Sequence, residues 1–280
     1  MINYVNNSFD NVLKPCDAQQ FYALTQSEKT ERLILAHRAG EPKAKSKLPA
    51  LTYMGVFDKD KYRKYLAKCE AQGTKPLSPR HAEFMRPTGL LMLDFDHVGD
   101  ARALWEQIYK GASERGFDLG QCMALAHITP SGDGLRLVVT RDKGKSIAEC
   151  QYHWAQEVLP WLGVTVKCDD VCKDISRLSY APMRSEILYF NPSLLFAELP
   201  EASDYPDGTL FGVQETGVAG VQTNVSTDAA DGLSSALLSE ATTPALQNSF
   251  PKDYNGIEYK EIVRRLEEQL GGAPAQGARN

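Results

Sequence analysis

The chain has 280 residues, 31 Lys and Arg against 36 Asp and Glu, and a formal net charge of -5. That balance argues against a generally basic DNA-coating protein, and the length allows one substantial core. Six scattered cysteines form no disulfide framework, and no N-terminal signal or long apolar run is present, so a cytoplasmic protein with reduced thiols and no membrane partner is expected.

Helical periodicity is expected over Asp17–Thr25, Glu28–Arg38 and Asp60–Gln72, with a strand near Leu51 between the second and third. Positive charge gathers here. Lys43, Lys45 and Lys47, with Arg38 before them, precede that strand, and Lys59, Lys61, Arg63, Lys64 and Lys68 follow on the third helix. Such clusters are usually solvated faces, but beside a nucleotide site they would suit a nucleic-acid backbone through counterion release.

Gly89-Leu90-Leu91-Met92-Leu93-Asp94-Phe95-Asp96-His97 reads as a buried central strand ending in two carboxylates. Side chains alternate along a strand, so Asp94 and Asp96 share a face and can hold a divalent cation between them. The competing reading is a helix cap for the segment Val98–Glu114. Next, Ala124–Thr129 and Leu135–Val139 read as the arms of a hairpin across Pro130-Ser131-Gly132-Asp133-Gly134. Its glycines allow backbone amides to approach an anion, and Arg136 alternates with Leu135 and Leu137 toward the opposite face.

Ser146–Leu162 is the fifth expected helix, and Trp105, Trp154 and Trp161 are expected in the core. After it, Cys168-Asp169-Asp170-Val171-Cys172-Lys173-Asp174-Ile175-Ser176-Arg177 packs carboxylates and cations before an alternating strand. Asp174 with Arg177 can be a local ion pair, but a site for a cation and a triphosphate needs a third carboxylate and more positive charge. Cys168, Cys172 and His153 lack the spacing of a zinc knuckle.

Residues 201–250 contain no Lys or Arg and seven acids, and the remaining 30 residues balance five against five. Removing these from the net charge of -5 leaves +2 for residues 1–200, a mildly basic folded part. The expected organisation is a domain over 1–200, an acidic flexible linker over 201–250 and a tail over 251–280. That tail carries a short amphipathic helix over Ile257–Leu270 after Asn255-Gly256, and could begin a further module.

Taken in order, Leu-Asp-Phe-Asp-His, Thr-Pro-Ser-Gly-Asp-Gly-Leu-Arg and Asp-Asp-Val-Cys-Lys-Asp-Ile-Ser-Arg-Leu-Ser-Tyr resemble the three motifs of the archaeo-eukaryotic primase superfamily. They are most similar to the variant in the N-terminal domain of VirE-like proteins of bacterial mobile elements, where it commonly precedes a helicase-type region. The resemblance covers roughly residues 40–200. It implies an α+β fold: an RRM-like primase-polymerase core with a mixed sheet covered by helices and an N-terminal α/β unit.

The resemblance also implies an activity, template-dependent nucleotidyl transfer by a two-metal mechanism using Mg²⁺ or Mn²⁺ on a single-stranded DNA template, with nucleoside triphosphates as substrates and a helicase module or protein as a further partner. Asp94 and Asp96 match the first-motif ligands, and the third ligand falls best on Asp169, with Asp170 and Asp174 as alternatives. Ser131, Gly132 and Gly134 match the phosphate turn, joined by Arg136 and Arg177; Lys43, Lys45 and Lys47 would track the template. Many primases of the superfamily carry a His where Arg136 stands, which keeps a cation but loses a titratable group. Two other readings stay open. One is a haloacid dehalogenase-type phosphatase with Asp94 as nucleophile and Asp96 as acid, and the other an inactive nucleic-acid-binding domain of the primase fold.

Overall fold

In the computed structural model, which describes residues 1–169, 173–206, 253–254 and 257–258, helices start where the sequence offers a capping oxygen. Asp17 accepts the Gln20 amide ahead of α1 (Ala18–Thr25), and Ser27 precedes α2 (Glu28–Arg38). Asp58 caps α3 (Lys59–Gln72), Asp100 caps α4 (Ala101–Glu114), and a Ser146–Glu149 capping box opens α5 (Ile147–His153). α5 continues through a π-helical turn, Trp154–Val158, into Leu159–Trp161.

Three antiparallel sheets fill the unit Met1–Gly217. The first, in the order β2-β1-β3-β9, joins β1 (Ile2–Val5), β2 (Lys14–Cys16), β3 (Ala50–Thr52) and β9 (Ser179–Tyr180). β4 (Gly55–Phe57) and β5 (Met85–Pro87) form a separate pair. The third, in the order β10-β7-β8-β6, joins β6 (Leu90–Phe95), β7 (Met123–Ile128), β8 (Leu135–Thr140) and β10 (Ile187–Phe190). The class is α+β as expected, but the ladders are antiparallel where a mixed sheet was anticipated.

The third sheet follows a β-α-β-β-α-β order in which each helical crossover straddles one strand: β8 lies between β6 and β7, and β7 between β8 and β10. β6 is therefore an edge strand rather than the central one that its apolar run suggests. All six of its residues are nonetheless buried. The Gln151 side-chain amide donates to Met92 O at 3.2 Å and the Asp169 N–H to Asp94 O at 2.8 Å, so the edge is covered. An apolar run reports burial, which a covered edge and a central strand share.

Leu91, Leu93, Phe95, Leu137 and Val139 share one core with Trp105, Ile108 and Trp154. Trp161 departs from expectation and is 50% exposed, edge-on to Phe117. It follows the π-helical turn, whose extra residue rotates the next turn off the apolar stripe.

Folded structure also runs past residue 200, where the domain was expected to end. Tyr205 is buried, its ring 4.6 Å from the Arg141 guanidinium, and Arg86 Nη2 donates to Pro200 O at 3.1 Å. A side chain at Gly89 (φ +78°) would lie 2.9 Å from the Tyr205 hydroxyl, so that position needs glycine on two counts. In the unit Val218–Asn280, β11 (Asp253–Tyr254) pairs antiparallel with β12 (Ile257–Glu258). This replaces the start of the helix expected from Ile257, because a two-residue Asn-Gly connection favours a hairpin. The remainder of that helix, and the linker beyond residue 206, lie outside the described residues. Among the described residues no helix is long and apolar enough to cross a membrane.

Candidate functional site

Register sets the site. His127 on β7 faces Arg136 on β8, which faces Asp94 on β6, so the three form a row on one side of the sheet. Arg136 Nη2 donates to Asp94 Oδ2 within an ion pair, and Nη1 donates to Ser179 Oγ at 2.8 Å, tying this sheet to β9. Both charges are nearly excluded from solvent, Asp94 at 2% exposure and Arg136 at 8%, and each needs the other. Asp94 Oδ1 is buried and has no hydrogen-bond partner.

His127 is wholly buried, and burial first, then the nearby Arg136, push its pKa down to about 3. Its Nδ1 lies 2.9 Å from Ile128 O. A carbonyl only accepts, so Nδ1 carries the proton and Nε2 the lone pair.

Beside this row opens a cleft of about 320 Å³ lined by Lys45, Asp94, Asp96, Thr129, Pro130, Ser131, Arg136, Arg177, Leu178 and Tyr180. Six expected site residues thus meet there: Asp94, Asp96, Ser131, Arg136, Arg177 and Lys45. Asp100, not Asp96, caps α4, which leaves the Asp96 carboxylate exposed beside the cleft. The Lys45 ammonium lies 5.8 Å from the centre of the Tyr180 ring. Lys43 and Lys47 flank it as exposed residues outside the lining.

Four expected residues stand elsewhere. Asp169 lines a neighbouring cavity of about 670 Å³ with Lys145, Glu149 and Lys173, and meets Asp94 through its backbone N–H. Gly132 and Gly134 lie outside that lining and shape the turn: the Gly132 N–H donates to Thr129 O at 2.9 Å. A side chain at Gly134 would sit 2.6 Å from Thr129 Oγ1 and 2.9 Å from Phe95 O. Asp174 accepts from Ser176 N and Oγ, both at 2.8 Å, in a separate groove. Asp170 lies outside the described residues.

Two supports had no local sequence signal. Arg38 of α2 pairs with Glu186 at 2.7 Å, donates through Nε to Pro130 O at 3.0 Å and through Nη2 to Thr129 O at 3.3 Å. It pins the hairpin turn, and its partners are 91 to 148 residues away. On the outer side, His97 Nδ1 lies 2.7 Å from Asp133 Oδ2 and the Val98 N–H donates to Asp133 O at 2.8 Å. The Asp133 hydrogen bond raises the His97 pKa above its ordinary value, and Asp133 is lowered by the Ser131 hydroxyl first and then by His97.

The cleft therefore presents two further cations, Arg177 and Lys45, beside the Asp94–Arg136 ion pair and the exposed Asp96 carboxylate. That suits a polyanion. Asp94 Oδ1, buried and unpartnered, and the exposed Asp96 also fit one divalent cation. Among the described residues no three His, Cys, Asp or Glu side chains are placed to share a metal. No protein-family profile matches the chain, and no curated protein and no solved structure is similar to it.

Proposed function

We propose that the chain is a template-dependent nucleotidyl transferase of the primase-polymerase kind. The observation that carries this reading is the meeting of Asp94, Asp96, Ser131, Arg136 and Arg177, far apart in sequence, in one cleft of carboxylates and cations. The β-α-β-β-α-β succession along the chain is the one an RRM-like core has, although here its first strand, β6, stands at the sheet edge and its last, β10, pairs with β7. On this reading Arg136, Arg177 and Lys45 bind the triphosphate, with Ser131 donating to a terminal oxygen. Arg38, through the carbonyls it holds, keeps Ser131 at the cleft wall. A bound Mg²⁺ or Mn²⁺, held by Asp94 Oδ1 and Asp96, supplies charge neutralisation at the reacting phosphate. Lys43 and Lys47 attract a single-stranded DNA template. The protein then works in the cytoplasm in replication of a mobile element, beside a helicase module.

The phosphatase reading needs Asp94 as the nucleophile, and Arg136, which that chemistry does not require, already engages one of its oxygens. An inactive domain of the same fold is favoured by that same ion pair. Template-dependent incorporation of labelled nucleotides with Mn²⁺, set beside hydrolysis of a phosphate ester, tests all three. Incorporation supports the proposal; ester hydrolysis alone, or neither activity, overturns it.

A further inference from the structure

A second groove, of about 440 Å³, meets the cleft at Arg177 and Leu178, which line both. Its walls come from two segments: Ser78, Arg80, His81 and Ala82 ahead of β5, and Asp174, Ser176, Arg177 and Leu178 ahead of β9. Arg80 is held by neutral acceptors, its Nη1 donating to Ser8 O at 2.8 Å and Asp10 O at 3.3 Å. Carbonyls fix a guanidinium without cancelling its charge, so Arg80 is an ordered, uncompensated cation. The Arg177 side chain makes no hydrogen bond or ion pair among the described residues. The groove's carboxylate, Asp174, is already turned onto Ser176.

We propose that this groove binds the phosphodiester backbone of a single-stranded nucleic acid and leads it into the cleft at Arg177. The inference rests on the proposed nucleotidyl-transfer reading for its direction. A polymer with regularly spaced phosphates is the ligand that can engage Arg80 on one wall, Arg177 at the junction and the cleft beyond. Arg80 and Arg177 offer charge to phosphates, so the backbone carries recognition, without sequence preference.

The test is fluorescence anisotropy of a labelled oligothymidylate over a range of KCl, with the full chain, Arg80→Gln and His81→Glu. Removing one phosphate contact weakens binding about tenfold and flattens the slope of log affinity against log salt by about 0.7. His81→Glu, which leaves the Arg80 anchors in place, weakens binding as well and carries the test should Arg80→Gln melt early. Triphosphate affinity by calorimetry stays at the parent value in both. Parental oligonucleotide affinity and salt slope in His81→Glu and in folded Arg80→Gln overturn the groove, and so does a parent chain that binds no oligonucleotide. If the groove variants behave as expected while the parent neither binds triphosphate nor incorporates nucleotides, the groove stands and the proposed function falls.

Discussion

Asp94 and Arg136 occupy facing positions on β6 and β8, and their ion pair lies inside the protein rather than at its surface. The pair has consequences for stability as well as for ligands. Breaking one partner leaves the other charged and buried, a change that typically costs 3 to 5 kcal/mol. Asp94→Asn is therefore expected to lower unfolding free energy by about 3 kcal/mol in urea, whereas Asp96→Asn, at an exposed carboxylate, leaves it within about 0.5 kcal/mol. Both abolish incorporation. Equal stability of the two variants would show that the ion pair contributes little.

The same pair links cation to anion. Arg136 holds Asp94 Oδ2, so a cation approaching Asp94 meets a guanidinium already in place. A triphosphate that draws Arg136 toward itself relieves this opposition. Mn²⁺ affinity measured by electron paramagnetic resonance is expected to rise at least about fivefold with a non-hydrolysable triphosphate, and the triphosphate to bind tighter with Mn²⁺ by the same factor. In Arg136→Gln, Mn²⁺ binds more tightly alone and the coupling shrinks. A coupling unchanged by the substitution rules this linkage out.

His127 makes the fold sensitive to acid. Its pKa is about 3 in the folded chain and near 6.5 when unfolded, so below pH 6.5 the unfolded state takes up a proton that the folded state refuses. Stability present at pH 7 is lost progressively as pH falls from 6.5 toward 3, by about 4 kcal/mol at the end of that window. Melting of the parent at pH 7 and pH 4 should differ more than melting of His127→Leu. Parallel curves would place the acid sensitivity elsewhere.

His97 titrates in the opposite sense. Asp133 raises its pKa, so the favourable contact is complete below pH 6.5 and fades as pH climbs through the raised value. Both groups are too solvated for a large effect on stability. The readout is the ring resonance of His97 by nuclear magnetic resonance, which should titrate above an ordinary imidazole and return to it in Asp133→Asn.

The helices were legible because their signals are local: Asp58, Asp100 and Ser146 lie within four residues of the amides they cap. That Asp94, Ser131, Arg136 and Arg177 come together was legible because strand alternation and motif order need no tertiary knowledge. Asp169 was placed with Asp94 and Asp96 from motif order alone; its backbone N–H does meet Asp94 O, while the residue lines the neighbouring cavity and not the cleft. Arg38 was read only as part of a basic cluster, and its pairing with Glu186 was invisible. Nothing near either residue announces a partner 148 positions away. Gly132 and Gly134 look like anion-binding glycines, but steric contact with Arg38 and Thr129 explains them as well.

Tyr205 sets where the chain can be cut. A chain ending at Pro206 retains the ring against Arg141 and is expected to melt with the parent, whereas one ending at Glu198 loses it and exposes the start of β6. Tyr205→Ala should cost about 3 kcal/mol in the full chain, the range for emptying a buried aromatic site. Equal melting of the two truncated chains would make the segment 199–206 dispensable.

Strand β6 carries the carboxylates at the rim of its sheet, and Gln151 and Asp169 occupy the carbonyls that a foreign strand would seek. The protein therefore cannot lengthen this sheet by lending β6 to a second copy unless α5 first lets go. Self-association through that rim and a working cleft exclude one another, because the strand that would be shared is the one that presents Asp94. Strand addition to this sheet falls instead to β10, its opposite edge, away from the strand that presents Asp94.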